Sequence, residues 1–150
     1  MRRALLLLAT IALPALAASP AWSNSTRFTP RARDRTTWDS VFSDSQATRG
    51  QATYHRTCAR CHMESLSGAD QSPALTGSAF MSNWNGATLA ELHERVRTTM
   101  PSDTPGMYGR QQITDVIAYV LRSNGFPAGT QELTHENDAL KAVRFVSSKP

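Results

Sequence analysis

Cysteine is scarce in this sequence, because its 150 residues include only Cys58 and Cys61. Two cysteines cannot build the dense disulfide framework of a small secreted domain. A bond between these two would close a very short loop and would add little stability. The pair therefore indicates chemistry that uses both sulfurs together.

Long apolar runs are also scarce. The one clear run, Ala4–Leu13, follows Arg2 and Arg3 and is too short to span a bilayer. A positive start, a short apolar stretch and the small residues after it are typical of an export signal. We predict a signal peptide over residues 1–23, cleaved between residues 17 and 23, and a periplasmic protein without stable membrane insertion after cleavage. A retained N-terminal anchor is the alternative.

A basic patch interleaved with aromatics is missing as well. The net charge of +4 depends largely on the leader and on four arginines in the polar segment 24–37, so the remainder is near neutral. This distribution does not favour a nucleic-acid partner. We predict that residues 24–37 form a flexible basic arm; a partner-binding tail is the alternative.

Three helices are predicted, over residues 38–57, 89–99 and 111–123. Thr88 and Glu91 match a capping box before the second helix. The third carries one apolar stripe and ends before an Asn-Gly stop signal. No convincing strand pattern is present, so the predicted fold class is all-α.

The segments between these helices, 63–87 and 100–110, are long and rich in Gly, Ser, Pro and Asn. Loops of this length are unusual in a compact domain unless something internal holds them. A large buried cofactor would do so.

The chemistry is concentrated in Cys58-Ala59-Arg60-Cys61-His62, the C-x-x-C-H signature of covalent haem attachment. The two thiols add to the two vinyl groups on one porphyrin edge, and a spacing of about one helical turn sets them at a suitable distance. The histidine then presents its imidazole to the iron. We predict one covalent haem c, held by Cys58 and Cys61, with His62 as a metal ligand.

Two other uses of the cysteine pair are weaker. A thioredoxin-like redox pair would follow a strand, and none is predicted before Cys58. A zinc site would need further ligands at knuckle spacing. His55, His93 and His135 do not have that spacing, and we predict each to be a surface residue.

A second axial ligand is expected from a methionine. Met100 follows a predicted helix and precedes Pro101, which restricts it to an extended backbone. Thioether ligation raises the reduction potential relative to a nitrogen ligand. Met81 and Met107 remain open as alternatives, whereas Met63 directly follows the proximal histidine and should face away.

Residues 40–127 resemble the class I c-type cytochromes. Gly50 and Tyr54 precede the first cysteine at the offsets of the family's glycine and aromatic, and residues 115–121 resemble its last helix. The resemblance implies the class I cytochrome c fold, in which the N- and C-terminal helices cross around one haem. It also implies that Tyr119 packs on Gly50 at that crossing.

The domain assignment follows from the same resemblance. We assign residues 38–128 to a haem domain and residues 129–150 to a C-terminal extension.

Two further stretches carry the resemblance. Pro73-Ala74-Leu75-Thr76-Gly77 is similar to the family's P-x-L-x-G segment, which implies that the Pro73 carbonyl accepts a hydrogen bond from His62 and that Leu75 packs on the haem. Trp84-Asn85-Gly86 and the residues around it look more specifically like cytochrome c domains associated with quinoprotein dehydrogenases. In that setting Trp84 would donate its indole N–H to a haem propionate; a core aromatic is the alternative.

The function implied is electron transfer and not catalysis, between a dehydrogenase donor and an oxidase or other cytochrome acceptor. The alternative is a haem c subunit of a quinoprotein dehydrogenase complex. A ligand-binding or peroxidatic haem protein is less well supported, because it would need an open iron position or a second C-x-x-C-H motif.

Overall fold

The chain folds mainly into helices. The computed structural model describes residues 35–150, so the predicted signal peptide and residues 24–34 of the basic arm lie outside the described residues. The helices are α1 (Asp44–Thr53), α2 (Ala59–His62), α3 (Gly77–Trp84), α4 (Leu89–Thr99), α5 (Arg110–Ser123) and α6 (Asn137–Lys141), with a π-helical turn, Tyr54–Cys58, joining α1 to α2. Strands β1 (Arg35–Thr36) and β2 (Val143–Arg144) pair in parallel. The prediction of an all-α domain is confirmed.

Helix α1 begins later than predicted. Ser43 has an extended backbone, and its side chain accepts a hydrogen bond from the Gln46 amide, which caps the helix at Asp44. The two residues before this cap, Val41 and Phe42, are buried instead of extending the helix. Beyond Thr53 the chain stays helical through the π-helical turn and α2, so the Cys58–His62 motif lies on a continuous helical segment.

The other two predicted helices match the structure closely. Helix α4 spans the predicted residues, and the capping box is present: the Glu91 amide donates to the Thr88 hydroxyl, and the Thr88 amide donates to the Glu91 carboxylate. Helix α5 begins one residue earlier than predicted. Strong apolar periodicity and explicit caps explain this agreement.

Helix α3 was not predicted, because residues 63–87 were interpreted as irregular throughout. Its sequence is poor in strong helix formers, and its apolar face is short. Phe80, which is buried, and Trp84 stand four residues apart and face the same way. The four-residue spacing of these two aromatic residues could have indicated a helix here.

The crossing of α1 and α5 depends on Gly50. A Cβ added there would lie 1.8 Å from the carbonyl oxygen of Asp115 and 2.9 Å from the amide nitrogen of Val116. The two backbones therefore approach each other where Gly50 has no side chain. The atoms nearest to this position belong to the α5 backbone, and a contact between Gly50 and Tyr119 stays a prediction. Tyr119 lies one turn further along α5, where its ring packs against Tyr54 with 5.3 Å between centroids.

The packed region extends beyond residues 38–128 in both directions. Residues 35 and 36 pair with β2, Thr37 is buried, and the Trp38 indole donates to the Val146 carbonyl at 2.9 Å. The C-terminal extension buries four of its apolar side chains: Leu133, Leu140, Val143 and Phe145. Both ends of the described chain thus belong to the same core.

Within residues 35–150, no helix combines the length and the apolar character that crossing a membrane requires.

Candidate haem-binding site

A cavity of about 790 Å³ lies between the Cys58–His62 motif, α3, α4 and α5. This volume falls in the range of about 300–1,000 Å³ that is usual for cofactor sites. Much of the wall is apolar: Leu75, Phe80, Leu92, Val96, Ile113, Ile117 and Val120. All seven site residues predicted from the sequence line the cavity: Cys58, Cys61, His62, Pro73, Leu75, Trp84 and Met100.

The two cysteines present their thiols to one cavity because they lie about one turn apart on the helical segment. Both thiols are free. Burial raises the pKa of the Cys58 thiol, and the charge of Arg60 only partly opposes this. A redox-active pair needs a lowered thiol pKa, and the preceding chain is helical from Asp44 instead of a strand. The thioredoxin-like alternative therefore finds no support here.

His62 is held in one orientation. It is 8% exposed, and its Nδ1 donates to the Pro73 carbonyl oxygen at 2.8 Å. Because a proline carbonyl can only accept, Nδ1 carries the proton and Nε2 has a free lone pair. No described residue hydrogen-bonds to Nε2, which leaves that nitrogen to the cavity. This is the geometry that a ligating imidazole requires.

The segment that holds His62 is itself anchored. The Leu75 amide donates to the Leu66 carbonyl at 2.8 Å. The side-chain amide of Asn124 donates to the Leu75 carbonyl at 2.9 Å and accepts from the Gly77 amide at 3.2 Å. The sequence had indicated Asn124 only as a helix stop. It also fixes the chain that carries Pro73 and Leu75.

Met100 reaches the cavity from the end of α4. Its backbone is extended, with φ −123° and ψ 147°, as Pro101 requires. Among the four methionines within residues 35–150, Met100 is the one that lines the cavity. Met63 and Met107 are 41% and 57% exposed, and Met81 packs against the core elsewhere. The structure thus favours Met100 over the alternatives.

Polar groups in the wall suit a cofactor that bears carboxylates. Trp84 is half-buried at the end of α3, and Arg60 and Arg95 are the two cations in the wall. Sequence reasoning missed Arg95 and Tyr108, another lining residue. Val96 lies on the apolar side of α4. The position of Arg95 directly before it could have indicated that Arg95 lies at the cavity. An apolar cavity with two thiols, an imidazole, a thioether and two guanidinium groups fits haem.

The remaining histidines do not line the cavity. His93 is 1% exposed, so its prediction as a surface residue was wrong. Its Nε2 lies 3.1 Å from the Arg110 carbonyl oxygen at the start of α5. Burial lowers the pKa of His93, and the hydrogen bond to Arg110 opposes that shift. His93 therefore has a packing role between α4 and α5.

No curated protein matches this chain. Among solved structures, a chain of the sulfane dehydrogenase SoxCD from Paracoccus pantotrophus is similar, with 22% sequence identity and a TM-score of 0.48. That match covers 68% of this chain and 59% of the SoxCD chain, so this chain spans less than two thirds of its length.

The family model described as cytochrome c oxidase, cbb3-type, subunit III matches residues 45–120. The matched residues run from the first turn of α1 through the Cys58–His62 motif and Met100 into α5. They therefore include both crossing helices and most of the cavity wall. Because half of the chain matches, and because the helical fold agrees, this chain belongs to the cbb3-type subunit III family and has the class I cytochrome c fold.

Proposed function

We propose that the protein is a periplasmic electron carrier with one haem c, covalently bound through Cys58 and Cys61 and ligated by His62 and Met100. The observation that carries this proposal is the convergence of all four side chains on one largely apolar cavity. The hydrogen bond from His62 to Pro73 supports it further, because it leaves Nε2 for the iron.

Each residue has a distinct task in this proposal. Haem supplies an iron that alternates between Fe(II) and Fe(III) and so takes up or releases one electron. Cys58 and Cys61 would hold the haem covalently, since each thiol would add across one vinyl group, with its sulfur bonded to one vinyl carbon and its proton on the other. The Pro73 carbonyl orients His62 and raises its basicity. Met100 would favour Fe(II) and so raise the reduction potential, and the apolar walls would exclude water from the iron.

Electron transfer is favoured over catalysis by the ligand set. If His62 and Met100 both ligated the iron, they would leave no coordination position for a substrate. Its redox partners would be a dehydrogenase donor and an oxidase or other cytochrome acceptor, meeting it in the short-lived contacts typical of redox proteins. Trp84 would donate to a haem propionate, and Leu75 would pack on the haem face.

A second candidate is a dedicated haem subunit of an oxidoreductase complex, such as a dehydrogenase. The family description, which names an oxidase subunit, favours this alternative. Gentle purification from native membranes and periplasm separates the two. A carrier elutes at its monomer size, whereas a subunit copurifies with its enzyme.

The test of the haem proposal is expression in cells with working haem attachment machinery. Mass spectrometry under denaturing conditions should show the processed chain plus one haem. Variants with Cys58→Ala or Cys61→Ala should lose one of the two thioether bonds. The mass of the bare chain in the wild type would overturn the proposal.

Axial ligation is tested separately by absorption spectroscopy. Oxidised wild type should show the weak far-red band of a thioether–iron bond. Met100→Ala should abolish this band and lower the reduction potential. Met81→Ala and Met107→Ala are matched controls and should retain it. Survival of the band in Met100→Ala would assign the ligand to another methionine.

A further inference from the structure

The methionine loop, residues 101–108, directly follows Met100 and has little apolar anchoring. Residues 102–107 are all exposed, and only Pro101 and Tyr108 at its two ends are half-buried. Its backbone hydrogen bonds are internal: Thr104 to Pro101 at 3.0 Å and Met107 to Thr104 at 3.3 Å. Apolar contacts therefore hold the loop only at its two ends, where Pro101 lines the cavity and Tyr108 packs against the core, and not over residues 102–107.

Two side-chain contacts join the methionine loop to the domain. The hydroxyls of Tyr108 and Thr57 are hydrogen-bonded, and the Asp103 carboxylate is paired with the Arg60 guanidinium. Within residues 35–150, these are the only side-chain hydrogen bonds or ion pairs that leave the loop. One contact lies near each end, which is an efficient way to restrain a short loop.

Both contacts end on the helical segment that carries Cys58 and Cys61. Thr57 immediately precedes Cys58, and Arg60 immediately precedes Cys61. Arg60 and Tyr108 themselves line the cavity. The loop that directly follows Met100, the proposed second ligand, is thus fastened next to the two residues that would bond the haem covalently.

We propose that Tyr108–Thr57 and Asp103–Arg60 form a two-point clasp that keeps Met100 on the iron. The four are positioning residues, and the inference rests on the proposed ligation by His62 and Met100. A thioether is a neutral, weak ligand, so the bond to Met100 is the one that yields when its loop gains conformational freedom. The clasp lowers the fraction of molecules in which that bond is open.

Imidazole added to the oxidised protein measures this open fraction directly. It binds only where Met100 has left the iron, so its apparent Kd equals the intrinsic Kd divided by the open fraction. Loss of one net hydrogen bond raises such a fraction by about two- to tenfold. Tyr108→Phe should therefore tighten imidazole binding by about two- to tenfold.

The ion pair should have a smaller, salt-dependent effect. The side chains of Arg60 and Asp103 are 55% and 54% exposed, so their attraction is screened by water and ions. Asp103→Asn should tighten imidazole binding at low ionic strength, and this difference should shrink as salt is added. The double variant Arg60→Gln, Asp103→Asn should behave like either single variant, because both remove the same contact.

Matched controls separate the clasp from general destabilisation. Tyr119→Phe removes a hydroxyl that makes no hydrogen bond among the described residues, and Glu94→Gln breaks an exposed ion pair with Arg97 inside α4. Both should bind imidazole with wild-type affinity. Midpoints of global unfolding should stay close to wild type in all these variants.

The outcomes distinguish the clasp from the ligation that it serves. Wild-type imidazole affinity in both Tyr108→Phe and Asp103→Asn, with tighter binding in Met100→Ala, would overturn the clasp and leave the ligation intact. Wild-type affinity and an unchanged spectrum in Met100→Ala would overturn both.

Discussion

Replacing Gly50 by alanine should destabilise the protein, although alanine is the better helix former. In an unobstructed helix, replacing glycine by alanine raises the free energy of unfolding by about 1 kcal/mol. At Gly50 the new Cβ would lie 1.8 Å from the Asp115 carbonyl oxygen, whereas ordinary contact begins near 3.4 Å, a shortfall of about 1.6 Å. The obstructing atoms are backbone atoms in α5, so no side-chain rotation relieves the clash.

The helices must therefore move apart, and this weakens other contacts at the crossing. Arg49, next to Gly50, donates to both carboxylate oxygens of Asp115 at 3.1 and 3.2 Å and to Glu132 at 2.8 Å. Overpacking of a tight contact costs about 1–3 kcal/mol and occasionally more. Subtracting the helix-propensity gain of about 1 kcal/mol leaves a net loss of about 0–2 kcal/mol in the free energy of unfolding. We expect the upper end of this range, because the obstructing atoms belong to the α5 backbone.

The assay is urea denaturation of the haem-loaded protein followed by far-ultraviolet circular dichroism. Gly109→Ala is a suitable control, because its φ is −67° and the nearest atom to the added Cβ is the Gln112 side-chain oxygen at 3.7 Å. That variant should change stability by less than about 1 kcal/mol. If Gly50→Ala were as stable as wild type with an unchanged m-value, the close-approach argument would be wrong.

Three more substitutions test the packing around the site. Phe145→Ala should lower the free energy of unfolding by about 3–5 kcal/mol, because this side chain of the C-terminal extension is 1% exposed; a loss below about 1 kcal/mol would exclude it from the core. Asn124→Ala should cost about 1–3 kcal/mol by releasing the Leu75 carbonyl, and an unchanged melting curve would contradict that anchor. Burial lowers the pKa of His93 from its ordinary 6.5, so at slightly acidic pH the folded protein binds fewer protons than the unfolded chain. The free energy of unfolding should therefore decrease as pH falls from 6.5 towards the lower pKa of the folded state. His93→Gln should flatten this dependence in denaturation measured across that range; equal slopes for variant and wild type would refute the assignment.

The features that the sequence predicted well are local ones. The spacing of Cys58, Cys61 and His62 is set by the chemistry of one helical turn and needs no distant partner. The extended backbone of Met100 follows from the next residue alone. Helix α4 was placed correctly because its cap and apolar face lie within its own sequence.

Features that depend on distant partners were missed or only partly predicted. The family resemblance implied that Gly50 meets the last helix, but it did not indicate that the atoms closest to Gly50 are backbone atoms of Asp115. His93 was assigned to the surface because its partner, the Arg110 carbonyl, belongs to another helix. Polar side chains can be buried wherever the fold supplies a hydrogen-bond partner, and a single sequence does not show that partner.

The C-terminal extension shows how such distant contacts reach the site. Its Phe145 exchanges backbone hydrogen bonds with the link between α3 and α4: Gly86 donates to Phe145, and Phe145 donates to Ala87, both at 2.8 Å. This link joins the helix that ends at Trp84 to the helix that leads to Met100. The Cys58–His62 motif selects the chemistry. The position of the cavity wall formed by α3 and α4 depends on Phe145, which lies about sixty residues after the link that it holds. A c-type site can therefore be recognised from five residues, whereas the geometry of its second ligand depends on the whole folded domain.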